Sequence, residues 1–84
     1  MSDHPHAAIA KRLKRANGHL QTIIEMIERQ RPCGQIAQQL QAVEGAIENA
    51  KKALIHDHFS HSLQDSGAKG RALLRDFRLI AKYL

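Results

Sequence analysis

The sequence predicts an all-α fold: a three-helix protomer that is completed by further copies of the same chain. Three observations carry this. Apolar residues recur at steps of three and four, and no segment alternates with the period of two that a strand needs. The middle run of that pattern is too long for the rest of an 84-residue chain to cover. Finally, the single cysteine, Cys33, excludes the internal disulfide that often staples so small a domain. The chain reads as one domain, 1–84, with residues 1–6 as a flexible arm.

The first helix is expected from Ala7 to Glu28. Its apolar stripe is Ile9, Leu13, Ala16, Leu20, Ile23/Ile24 and Ile27. Gly18 lies within it at a cost of about 1 kcal/mol relative to alanine, which points to close approach by another backbone. Arg29-Gln30-Arg31-Pro32 breaks the pattern, and proline suits the first turn of a new helix. The second helix is expected from Pro32 to Leu63, with the seam Ile36, Leu40, Val43, Ile47, Ala50 and Leu54, continuing to His58 and His61. Steps of 4-3-4-3-4 mark extended helix–helix packing. Asp65-Ser66-Gly67 ends it, and a third helix from Ala68 to Tyr83 is expected to bury Leu73/Leu74, Phe77, Ile80 and Leu84.

Some thirty residues of middle helix span roughly 45 Å, whereas a compact globule of this length is about 30 Å across. The seam is therefore expected to lie antiparallel on the same helix of a second subunit. The alternative is a bent or broken helix in a monomeric bundle, with Gly45 as the break.

Composition narrows the function. Thirteen Lys and Arg against eight Asp and Glu give a formal net charge of +5, which favours a polyanionic partner. A free thiol suits a reducing cytoplasm. The opening Met1-Ser2-Asp3-His4-Pro5-His6 lacks the pattern of a signal peptide, and no apolar run is long enough for a membrane span. Neither an acid/base pair nor a phosphate loop appears, so an enzyme is not expected.

Cys33 and the histidines are the chemically distinctive residues. Cys33 opens the long helix and His58 follows 25 residues later, roughly 37 Å away on a continuous helix. They cannot share an ion within one chain. Antiparallel pairing would bring Cys33 of one subunit to His58 of the other. A thiolate with imidazoles suits nickel, cobalt or zinc, and the first turn of a helix favours a thiolate. His4 and His6 on the arm, and His61 one turn past His58, are further candidate ligands. Read individually, each has a plainer role: a buried filler for the cysteine, solvated surface for the histidines.

Arg12 to Leu20, Met26-Ile27-Glu28, Cys33, Gln38 to Val43 and Ala53 to His58 together resemble the CsoR/RcnR/FrmR family of bacterial repressors over nearly the whole chain. The nearest branch is the nickel- and cobalt-responsive one, which shares Leu54-Ile55-His56-Asp57-His58 and the ending Ile80-Ala81-Lys82-Tyr83-Leu84. The resemblance implies an antiparallel dimer of long helices and a flat tetramer of two dimers. It implies a repressor without a helix-turn-helix that lays a basic face on double-stranded operator DNA and is released by its effector. The family's cysteine falls on Cys33, its helical histidine on His58, and an N-terminal histidine ligand on His4 or His6.

Two positions depart from that pattern. Ser62 stands where many members carry a cysteine or histidine, which argues against a thiolate-rich copper(I) site. Glu44 stands where relatives usually have arginine, which removes one phosphate contact. The formaldehyde-sensing branch reacts through its cysteine and an N-terminal proline amine; here Ser2 stands at that position, leaving a lysine or the α-amine as the partner. The expected DNA-binding residues are Lys11, Arg12, Lys14 and Arg15, opposite the apolar stripe, with Lys51 and Lys52. In a tetramer the charge rises to about +20, and phosphate-dominated binding should weaken with salt. The leading reading is thus a nickel- or cobalt-released repressor. The alternatives are a formaldehyde sensor using Cys33 and a cytosolic metal-binding protein that never meets DNA.

Overall fold

The computed structural model describes residues 6–65 and 70–84, with the backbone alone for 61–65. They form three helices: α1 (Ala7–Glu28), α2 (Cys33–Asp65) and α3 (Gly70–Ala81). α1 has both expected ends. α2 starts one residue later than expected, because Pro32 serves as its cap. The Pro32 carbonyl accepts from the amides of Gln35 and Ile36 at 3.0 and 3.2 Å. α2 then runs unbroken through Gly45 for 33 residues, about 50 Å. The broken-helix alternative therefore falls. The expected start of α3 at Ala68 lies outside the described residues. Its end comes at Ala81, where Tyr83 and Leu84 close the last turn by donating to the carbonyls of Ile80 and Ala81.

α1 and α2 form an antiparallel hairpin joined by residues 29–32. The reversal rests on Gln30, the one non-glycine residue with positive φ (57°) among those described. The amides of Gln30 and Arg31 donate to the carbonyls of Ile27 and Met26 at 3.0 and 2.9 Å. This is the paired closure of a Schellman end, whose left-handed position usually holds glycine because a Cβ crowds the next carbonyl there. Gln30→Gly should therefore stabilise the fold by about 0.5–1 kcal/mol, net of glycine's greater unfolded-state entropy. A denaturation midpoint at or below that of the parent chain would contradict this.

The hairpin interior is narrow. α1 buries Ile9, Ala16 and Ile23; α2 buries Val43, Ala50 and Ile55. A polar tie crosses it: His19 Nε2 lies 2.6 Å from Gln39 Oε1, both half-buried. The close approach expected at Gly18 is not found within the chain, where nothing lies within 4 Å of a Cβ built there.

Half of the predicted stripe stays in water. Leu13, Leu20 and Ile27 on α1, and Leu40, Ile47 and Leu54 on α2, are between 37% and 54% exposed. Each row repeats every seven residues, and each stands four residues on from a buried row (Ile9 and Ala16; Val43 and Ala50). In an antiparallel pair that shared offset turns both rows to the same side, so the hairpin carries one broad apolar face. α3 likewise corrects the expectation that it buries its stripe. Leu74, Phe77 and Leu84 are 53%, 45% and 60% exposed. Among the described residues α3 packs on the end of α2, through Phe59 and Phe77 in edge-to-face contact at 5.5 Å and through a hydrogen bond from His58 to Asp76, and its outer side stays exposed.

The resulting shape is flat and long, 56 × 34 × 13 Å with a radius of gyration of 17.4 Å, against about 12 Å for a compact chain of this length. Its accessible surface is 6847 Å², where a compact monomer of this mass exposes about 5,000 Å². The excess is of the order that a permanent interface covers.

Candidate metal centre

The hairpin decides which candidate ligands meet. His6 and Leu54 lie equally far from the turn at Gln30, so antiparallel packing sets the start of α1 level with the last third of α2. The His6 carbonyl accepts the Ala10 amide at 2.9 Å and opens α1. The half-buried His6 and His58 then line one cleft of about 350 Å³, with Leu54, Ile55, Ile80, Tyr83 and Lys51 completing its walls.

His58 is held from two sides. Its Nε2 is hydrogen-bonded to Asp76 Oδ2 on α3, and its ring meets Phe59 edge-on at 5.0 Å. A carboxylate accepts, so Nε2 is the donor in this bond, and in a neutral ring Nδ1 then carries the lone pair. A carboxylate behind an imidazole fixes its tautomer and makes it a better ligand. Asp76 was missed in the sequence, although it left a signal there: it is an acid on the apolar side of α3, among Leu73, Phe77 and Ile80.

Cys33 is exposed at the opposite end of α2, twenty-five residues from His58. The structure thus places His6 and His58 on one cleft and keeps Cys33 apart. His4, and the side chains of His61 and Ser62, lie outside the described residues. Among the described residues no three His, Cys, Asp or Glu side chains gather closely enough to hold a metal. One chain therefore offers two imidazoles of the right kind for a borderline divalent ion, and needs donors from elsewhere. The position of Cys33 adds meaning. Counting in sevens from Cys33 gives Leu40, Ile47 and Leu54, so the cysteine heads the exposed apolar row.

Lys11, Arg12 and Arg15 line a shallow depression with Ala7 and Ala8, and Lys14 is exposed beside them. Lys52 is exposed at the rim of a separate apolar cleft between α2 and α3, while Lys51 lies within the histidine cleft. No helix among the described residues is long and apolar enough to cross a membrane.

Residues 5–82 match the family model of metal-sensitive transcriptional repressors. The chain belongs to that family. Among curated relatives of this repressor family, the copper-sensing transcriptional repressor CsoR of Mycobacterium ulcerans is 35% identical over 71 residues, covering 84% of this chain and 60% of its own length. The CsoR of Bacillus subtilis is 37% identical over 62 residues, covering 74% and 61%. The copper-sensing repressor RicR of Mycobacterium tuberculosis is 34% identical over 61 residues, covering 73% and 64%. The chain thus spans about 60% of the length of these relatives. No solved structure matches it.

Proposed function

We propose that the protein is a DNA-binding transcriptional repressor released from its operator by nickel or cobalt, bound between subunits by His6 and His58 of one protomer and Cys33 of its partner. The observation that carries this is the separation of the donors along α2. Two imidazoles share a cleft at one end, and the thiol heads an apolar row at the other. Antiparallel pairing of two α2 helices about Ile47 sets Cys33 of one level with residue 61 of the other, one turn beyond His58. His4 and His61 are the candidates to complete the ligand set.

The relatives above are named as copper sensors. The donor set here differs in kind: one thiol with imidazoles, and Ser62 where a second thiolate would stand. Copper(I) favours thiolates, whereas imidazole-rich sites suit nickel, cobalt and zinc. Within the chain, Asp76 orients His58, and their hydrogen bond joins α2 to α3, which carries the exposed Arg71, Arg75 and Arg78. An effector that draws His58 toward a partner's thiol therefore pulls on a helix that bears part of the basic surface.

A second reading, an aldehyde sensor, draws on two features: an exposed thiol at Cys33 and an amine, Lys51, in the histidine cleft. One gel-shift experiment separates the readings. The protein is bound to its own upstream DNA at fixed salt and challenged with nickel, cobalt, zinc, copper(I) or formaldehyde. Release by nickel or cobalt at the lowest concentration is expected. Release by copper(I) alone sinks the ion assignment. Release by formaldehyde, with the gain of one methylene carbon in intact mass, selects the aldehyde reading. Metal binding without any DNA retention leaves a metal-binding protein of another kind.

A further inference from the structure

The cleft that holds the two imidazoles also holds a positive charge belonging to the protein. Lys51 lines it with His6 and His58. It lies two turns before His58 on the same face of α2. Its side chain is 40% exposed, and its ammonium sits 3.3 Å from Glu48 Oε1, one turn further back. An ammonium has three donors and no lone pair, so it cannot ligate an ion. Its charge opposes any cation that enters.

We propose that Lys51 sets the threshold of the metal site, weakening cation binding by electrostatic repulsion, with Glu48 as the counter-charge that holds the ammonium aside when the cleft is filled. This rests on the reading of His6 and His58 as metal ligands. A cleft of about 350 Å³ is roughly 9 Å across if taken as a sphere. A unit charge and a doubly charged ion some 8 Å apart, in the largely aqueous setting that the exposure of Lys51 implies, repel enough to change affinity roughly five- to tenfold. An affinity held down in this way keeps a sensor silent at trace levels of metal while leaving the ligands themselves unchanged. Helical geometry supports the division of labour. Side chains on a helix lean toward its N-terminus, so Lys51 leans to Glu48 while His58 leans back into the cleft.

The test is nickel affinity of the DNA-free protein, measured by competition with a chelator. Lys51→Met keeps the apolar stem and removes the charge, and should tighten nickel binding roughly five- to tenfold. Lys51→Gln should tighten it similarly, and Lys51→Arg should leave it within about twofold of the parent. Glu48→Gln, which frees the ammonium, should weaken it. The gain in Lys51→Met should shrink as salt is raised. Unchanged or weaker binding in both Lys51→Met and Lys51→Gln, with His58→Ala still greatly weakened, overturns the role of Lys51 alone. Unchanged binding in His58→Ala overturns the metal site itself and this inference with it.

Discussion

His58→Ala is expected to leave the operator complex intact and abolish its release by nickel or cobalt. The side chain supplies no charge to the basic surface on α1, so DNA affinity in the absence of metal should stay within about twofold. The response should vanish because the imidazole is both a ligand and the link to α3 through Asp76. Release that lowers DNA affinity a hundredfold requires about 2.7 kcal/mol of coupling, and that coupling has to come from donors which bind differently in the two states. Cys33→Ala should behave in the same way although it lies at the far end of α2, because the partner's copy serves the site. Asp76→Asn tests the link separately. It keeps size and one hydrogen-bond acceptor but loses the charge that sets the His58 tautomer, and should weaken nickel binding ten- to a hundredfold. Gel shifts with and without nickel, beside chelator competition for each variant, check all three. A His58→Ala protein that still releases DNA at the parent's nickel concentration would exclude this site as the sensor.

The elements of the fold could be read from the chain with little loss, whereas the division of each stripe between self and partner could not. α1 was legible because its apolar period is uninterrupted and both ends carry breakers. α2 was legible as one rod because Gly45 is a single glycine in a strong seam, and the roughly 1 kcal/mol it costs does not break a helix packed along its length. Periodicity reports apolarity, not what covers it. Leu40 and Val43 belong to one seam in the sequence, yet Val43 is 4% exposed and Leu40 39%. Only the antiparallel hairpin separates them, by assigning one row to α1 and leaving the other open. The same limit explains α3, whose stripe predicted burial that one chain cannot provide. At the site, His58 and Cys33 stood out by residue type. The pairing of His6 with His58 needed the register of the hairpin, and Asp76 needed the angle at which α3 returns.

The open face should be the point at which the molecule is easiest to disable. Ile47 is 46% exposed and sits midway along the row from Cys33 to residue 61, at the centre of the proposed two-fold pairing of α2 helices. It lies outside the fully buried interior of its own hairpin, to which α2 contributes Val43 and Ala50. Ile47→Glu should therefore spare the secondary structure of the protomer while placing two carboxylates against each other at the axis, one from each subunit. Burying an unpaired charge costs several kcal/mol, and symmetry doubles the cost. Sedimentation at micromolar concentration should then show monomer where the parent chain is oligomeric, with a lower melting temperature because so small a chain is marginal alone. DNA affinity should fall more than a hundredfold, since a monomer carries a formal charge of +5 where a tetramer would carry about +20. Glu48→Ala, one residue away but off the seam, should leave assembly unchanged. If Ile47→Glu remained oligomeric and bound DNA as the parent does, the face of Leu40, Ile47 and Leu54 would not be the contact. Cys33 and His58 would then have no route to a common ion.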